Sequence, residues 1–117
     1  MYAPRTKTIG FSISPDALYA AVQRTAETGK YTVVATAAST RKIGFLSGIT
    51  WLSFGHEYVA SITASAEGSA LELVCGGRDA APKALLDGWT NTKAADKFLS
   101  AVHVTLAPES MGGPSNE

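Results

Sequence analysis

The sequence lacks the cysteine pairs of a disulfide framework, the long apolar run of a membrane helix and the excess positive charge of a nucleic-acid-binding surface. Cys75 is the single cysteine in 117 residues, which excludes an intramolecular disulfide and a zinc site made of cysteines. Ten Lys and Arg residues balance ten Asp and Glu residues, so no excess of positive charge marks a surface for nucleic acid or anionic lipid. No stretch approaches the roughly 20 apolar residues of a membrane helix. The polar residues 1–7 are not followed by the apolar run of a signal peptide, and we expect a cytoplasmic protein.

The apolar content is nevertheless sufficient for one folded domain. Hydrophobic residues make up 45% of the chain and charged residues 17%, which is too apolar for a disordered protein. A chain of this mass buries about two-thirds of its surface on folding. We expect a single domain over residues 1–106. Residues 107–117, rich in Pro, Gly, Ser and Asn, are predicted to form a disordered tail.

Hydrophobic periodicity predicts two helices and five strands. Ser14 is a suitable helix cap, Pro15 suits the first helical position, and an apolar stripe with helical spacing follows until Gly29. A second stripe contains Phe98 and predicts a final helix that starts near residues 90–92 and spans about thirteen residues, or about 20 Å. Period-two alternation predicts strands over residues 6–13, 31–38, 42–46, 53–64 and 71–75.

The predicted order is β-α-β-β-β-β-α. Short connections between the strands favour a single antiparallel sheet of about five strands, with both helices on one face. The sequence therefore predicts an α+β fold.

Residues that could take part in catalysis or bind a metal are few and scattered. His56 and Glu57 are adjacent on a predicted strand, so their side chains should point to opposite faces. His56 shares its face with Tyr58, which favours a half-buried structural histidine, and His103 is expected just after the final helix. Cys75 alternates with Leu71 and Leu73, which predicts a buried, unreactive thiol. We expect no catalytic constellation, no metal site and no cofactor; if the protein is an enzyme, the least implausible participants are His56, Glu57 and Asp87.

The segment around Trp51 departs from an ordinary half-buried strand. Large apolar residues are too dense after Gly48 for alternation to bury all of them. We expect a contact surface there for a protein partner or for self-association, because aromatic residues anchor interfaces. The alternative is that the segment folds back into the core of its own domain. The predicted contact residues are Ile49, Trp51, Leu52 and Phe54.

Three short segments resemble a family of small bacterial proteins of unknown function. Residues 41–44 (RKIG) are similar to its Ile-bearing "gkI" segment, and residues 53–57 (SFGHE) to its "sWGe" segment. Residues 87–93 (DGWTNTK) are similar to a segment that opens the last helix of the family, with Gly88 and Trp89 inverted. The resemblance implies a compact sheet with two helices and supplies no catalytic residue.

The element order is also similar to a shortened helix-grip fold, in which a curved sheet wraps a long C-terminal helix around an apolar cavity. Two functions remain open. The first is a non-enzymatic interaction or assembly module that uses the Trp51 segment. The alternative is a binder of an apolar small molecule, although a final helix of about thirteen residues leaves little room for a large cavity. The predicted pocket residues are Phe11, Tyr58, Ile62, Leu73 and Phe98.

Overall fold

A computed structural model describes residues 2–47, 55–77 and 88–110 of the chain. The predicted order of elements and the α+β class are confirmed. The predicted contact residues of the Trp51 segment and Asp87 lie outside the described residues. The elements are β1 (Tyr2–Phe11), α1 (Pro15–Thr28), β2 (Tyr31–Ala37), β3 (Lys42–Ser47), β4 (His56–Ser65), β5 (Gly68–Gly77) and α2 (Gly88–Ser110).

The five strands form one sheet in the order β1-β5-β4-β3-β2. Every neighbouring pair is antiparallel. The strands β2 to β5 follow one another as hairpin neighbours, and β1 completes the sheet beside β5. Because directly opposed residues point to the same face, the register aligns side chains in rows across the sheet.

Local sequence signals set the bounds of α1. The Ser14 hydroxyl accepts a hydrogen bond from the Ala17 N–H at 3.1 Å, and Pro15 occupies the first turn. At the other end the Gly29 N–H donates to the Thr25 carbonyl. The cap, the first residue and the stop of this helix are therefore those that the sequence predicts.

Two tight turns depend on unusual backbone geometry. Gly68 has a φ of 142°, and a Cβ there would lie 2.6 Å from the Phe11 carbonyl oxygen, so only glycine fits beside β1. In the turn between β2 and β3, Arg41 has a φ of 53°. Its guanidinium pairs with Asp16 at 2.8 Å, which ties this hairpin to the first turn of α1.

The core lies on the face of the sheet that both helices cover. Phe98 of α2 is completely buried and packs on that face with Tyr58 and Ile62, as the sequence predicts. Alternate residues of β3, β4 and β5 supply the sheet side, and the apolar stripe of α1 completes it. The largest fully buried side chains are Phe45, Phe98, Leu18, Ile43, Leu71, Leu73, Val22 and Val102.

The final helix is much longer than its apolar stripe predicts. It has 23 residues, or about 34 Å at 1.5 Å per residue, and it includes residues 107–110, which the sequence assigns to the tail. His103 accordingly lies within the helix and not after it. Tertiary contacts extend the helix: Leu106 packs against the core, and the Thr105 and Thr25 hydroxyls lie 2.8 Å apart between the two helices. The predicted helix length of about thirteen residues, from which the sequence analysis inferred little room for a large cavity, is therefore wrong.

Candidate functional site

Polar side chains gather on the helix-covered face at one end of the sheet, where β3 and β5 end and β4 begins. Tyr31 is directly opposite Ser47, and His56 begins β4 on the same face. The Ser47 hydroxyl accepts a hydrogen bond from the His56 backbone N–H at 2.7 Å. All three residues are half-buried, so they form a rim between the core and solvent.

An aromatic cluster lies directly behind this rim. Phe45 and Tyr58 are stacked, and Phe98 of α2 packs on Phe45 with ring centroids 4.6 Å apart. The Tyr31 ring meets Phe45, Tyr58 and Phe98 edge-on, at centroid distances of 5.4, 5.5 and 5.2 Å. Such edge-to-face contacts are favoured by the aromatic quadrupole. One half-buried ring therefore closes the end of a packed aromatic core.

The Tyr58 hydroxyl joins the cluster to the polar rim. It is within hydrogen-bonding reach of the Ser47 hydroxyl and the Cys75 thiol, and Tyr58 and Cys75 are directly opposed on β4 and β5. Tyr58 is only 3% exposed. A single phenol thus brings a buried polar group to the boundary between the aromatic core and the rim.

Burial keeps these groups neutral near pH 7. Removal from water disfavours the charged form of each group. Burial raises the pKa of the Tyr58 hydroxyl above its usual value and raises the pKa of the Cys75 thiol to about 12. Burial also raises the pKa of the Tyr31 hydroxyl, with a smaller contribution from nearby Cys75, and lowers the pKa of His56 below its usual 6.5. Together these four side chains offer neutral hydrogen-bond donors and acceptors, and the protonated Cys75 thiol is a poor nucleophile.

The five residues predicted to line a pocket do not converge on one site. Tyr58 and Phe98 belong to the aromatic cluster, whereas Ile62 and Leu73 are completely or almost completely buried in the packed core. Phe11 is opposite Ser69, six residues along β5 from Cys75, which is about 20 Å at strand spacing. Its ring packs against His103 of α2 at a centroid distance of 5.2 Å. Alternation assigns these residues to the correct face of the sheet but does not give the position of each residue relative to the neighbouring strands.

The structure also gives the positions of the other residues that the sequence singles out for possible chemistry. His56 and Glu57 lie on opposite faces of β4, as predicted, so they do not form a catalytic pair. Cys75 is buried, as predicted. Within residues 2–47, 55–77 and 88–110, no three His, Cys, Asp or Glu side chains are grouped to hold a metal ion. In the same part of the chain, no helix has the length and apolarity needed to cross a membrane.

Tyr31 and Ser47 are not among the site residues that the sequence predicts. The predicted hairpin between β2 and β3 is the sequence feature that could have indicated that these two residues are neighbours. A turn at residues 39–41 brings the first residue of β2 near the last residue of β3. The observed register makes them direct partners, although an irregularity between Val33 and Ala35 shifts the pairing along β2. A β-bulge of this kind cannot be placed from alternation alone.

Known structures share this fold at low sequence identity. The crystal structure of Ara h 8.0201 is similar with a TM-score of 0.59 and 10% identity, over 89% of this chain and 97% of that chain. Protein MLL2253 from Mesorhizobium loti is similar with a TM-score of 0.63 and 10% identity, over 89% of this chain and 96% of that chain.

A third similar structure is the di-domain ARO/CYC BexL from the BE-7585A biosynthetic pathway. The TM-score is 0.64 and the identity 13%, over 92% of this chain and 47% of that chain, so this chain spans about half the length of BexL. No known family profile matches the sequence, and no curated protein matches it. The chain thus has an α+β fold found in a bacterial protein, in Ara h 8.0201 and in BexL.

Proposed function

We propose that this protein binds a flat, apolar small molecule that carries a hydroxyl or carbonyl group. The binding site is the rim of Tyr31, Ser47 and His56 together with the Tyr58 hydroxyl. The observation that carries the proposal is the position of these polar groups, which are half-buried or buried at one end of an aromatic cluster. Small-molecule sites combine apolar and aromatic walls with a few convergent polar groups.

Electrostatics favours a neutral ligand. Burial holds Tyr58, Cys75 and His56 in their neutral forms, so no full charge within this group attracts an ion. A phenol, a hydroxyl and an imidazole both donate and accept hydrogen bonds. A ligand hydroxyl or carbonyl would therefore find a partner, while its ring packs against Tyr31.

The fold supports the same proposal by analogy. The length of α2, about 34 Å, agrees with the long final helix of the helix-grip arrangement. One protein of similar fold, BexL, is by its name an ARO/CYC of a biosynthetic pathway. Analogy of fold raises the expectation of small-molecule binding but does not identify a ligand or a reaction. The interaction-module hypothesis has no comparable support, because its residues lie outside the described part of the chain.

Calorimetric titration with 2-naphthol and naphthalene tests the proposal. Both probes are flat and apolar, and only 2-naphthol carries a hydroxyl. We expect 2-naphthol to bind the native protein about fivefold more tightly, the worth of one net hydrogen bond of about 1 kcal/mol. Tyr58→Phe removes the phenol oxygen and retains the ring, so it should reduce or abolish this difference.

Ser12→Ala is the matched control. It also removes one hydroxyl, but Ser12 is exposed between β1 and α1, and we expect it to leave the preference for 2-naphthol unchanged. Far-ultraviolet circular dichroism checks that each variant is folded. The proposal is wrong if neither probe binds up to its solubility limit, or if folded Tyr58→Phe retains the full preference.

A further inference from the structure

His56 is the rim residue whose charge changes most readily near neutral pH, because an unperturbed imidazole titrates near pH 6.5. Its backbone N–H is held by the Ser47 hydroxyl at 2.7 Å, and its ring centroid lies 6.4 Å from that of Tyr58. His56 is half-buried. Part of the residue therefore remains in contact with water, and a protonated imidazole there keeps part of its hydration.

The sheet around His56 provides no negative charge. On the helix-covered face, burial holds Tyr58 and Cys75 of the next row neutral. Strand β1 adds a cation to that row, because Arg5 is directly opposite Cys75. Glu57, which follows His56 in sequence, is on the other face of β4. Within the strands that the structure describes, no Asp or Glu lies on the helix-covered face, so no strand carboxylate there stabilises an imidazolium.

The helices do not supply this negative charge either. The acidic side chains that the structure describes on α1 and α2 each have another partner: Asp16 with Arg41, Glu27 with Gln23, and Asp96 with Lys7. The exposed cations of the helices and of the turn after α1 are Arg24, Lys30, Lys93 and Lys97. In the described part of the chain, water is therefore the main group left to stabilise a positive charge on His56.

A ligand that covers the rim removes this water. Loss of hydration disfavours the imidazolium, so the ligand-bound protein binds a proton less readily than the free protein. The coupling is reciprocal, and a proton on His56 must weaken ligand binding by the same factor. Burial already lowers the pKa of His56 below 6.5 in the free protein. Affinity should therefore be constant above about pH 6.5 and fall as the pH drops through this lowered pKa.

We propose that the site is pH-sensitive: it binds a neutral apolar ligand near pH 7 and releases it in mild acid, when His56 takes up a proton. This inference rests on the proposed function, because the ligand itself covers His56. If the ligand lowers the midpoint of the His56 titration by one pH unit, the affinities for the two charge states of the protein differ about tenfold.

Calorimetric titration with 2-naphthol at pH 7.5 and pH 5.0 tests the proposal. As a phenol, 2-naphthol stays neutral at both pH values. We expect the native protein to bind it about threefold or more weakly at pH 5.0. His56→Gln has a neutral side chain throughout and should bind it equally at both pH values. Glu57→Gln is the matched control, because it removes the adjacent titratable group on the opposite face of β4, and it should keep the native ratio.

Proton nuclear magnetic resonance gives a readout that does not depend on affinity. The chain has two histidines, and the ring signal that is absent from His56→Gln identifies His56. Saturation with 2-naphthol should lower the pH midpoint of this signal by about 0.5 or more. His103 packs against Phe11 at the other end of the helix-covered face, so 2-naphthol should leave its signal in place at constant pH.

The outcomes separate this inference from the proposed function. Failure of 2-naphthol to bind at pH 7.5 overturns both. Far-ultraviolet circular dichroism establishes that each protein is folded at both pH values. In folded protein, binding that is equally tight or tighter at pH 5.0 overturns the pH sensitivity alone. So does a pH dependence that His56→Gln retains, or a His56 midpoint that 2-naphthol leaves unchanged or raises.

Discussion

Phe45 and Tyr58 lie flat against each other on neighbouring strands, with ring centroids 4.6 Å apart and ring planes inclined by only 6°. The two residues are directly opposed in the register of β3 and β4. The stack fixes the direction of the Tyr58 ring, and with it the position of the hydroxyl near Ser47 and Cys75. One side chain therefore belongs both to the core and to the proposed binding site.

Truncation of Phe98 should remove much of the stability of the domain. Phe98 is completely buried against Tyr31, Phe45 and Tyr58, so Phe98→Ala leaves a large cavity. We expect a loss of about 3–5 kcal/mol in the free energy of unfolding, against a total of about 5–15 kcal/mol. Urea denaturation measures the loss.

Val104→Ala is the matched control for this truncation, because Val104 lies on the same helix and is 70% exposed. We expect a change within about 0.5 kcal/mol. Equal and small changes in both variants would mean that α2 is not docked on the sheet, and the described fold would be wrong.

Cys75 should be unreactive in the native protein. It is completely buried, and burial raises its pKa to about 12, so very little thiolate exists at pH 8. We expect slow labelling by an aromatic disulfide reagent in buffer and complete labelling within minutes in denaturant. Rapid native labelling that rises with a midpoint below about pH 8 would contradict the structure. Cys75→Ala should retain 2-naphthol binding, because Tyr58 and the rim remain.

Sequence patterns determine much of this fold because its elements obey local rules. Ser14, Pro15 and Gly29 set the bounds of α1 through capping and backbone geometry, which depend on neighbouring residues. Alternation assigns Leu71, Leu73 and Cys75 to the buried face because side chains on a strand have a fixed period of two.

The length of α2 and the position of the site depend on contacts between distant residues. Leu106 packs on the core, and Thr105 meets Thr25 across 80 positions of sequence, so no local pattern places the end of the helix. Tyr31, Ser47 and Tyr58 meet through the register of three strands. Period-two alternation fixes the face of each residue but does not fix its partner along the strand.

The Trp51 segment stays a predicted contact surface. Four large apolar residues in six positions exceed what one face of a strand buries, so Trp51 or Leu52 should need a partner chain or a ligand to cover it. We expect Trp51→Ala/Leu52→Ser to reduce self-association through this segment, while the melting temperature of the monomer stays close to the native value. Light scattering and thermal melting at several concentrations measure both. A variant that unfolds, or one unchanged in both assays, contradicts the contact hypothesis.

His56 should make the stability of the protein depend on pH below about 6.5. Burial lowers its pKa in the folded state, so below its ordinary value of 6.5 the unfolded chain binds a proton more readily than the folded chain. The contribution of neutral His56 is complete above about pH 6.5 and is lost progressively as the pH falls toward the lowered folded-state pKa. The native protein should therefore lose more stability between pH 7.5 and 5.5 than His56→Gln, as measured by urea denaturation at both pH values. An equal pH-dependent loss in the native protein and in His56→Gln would show that His56 is not the group responsible.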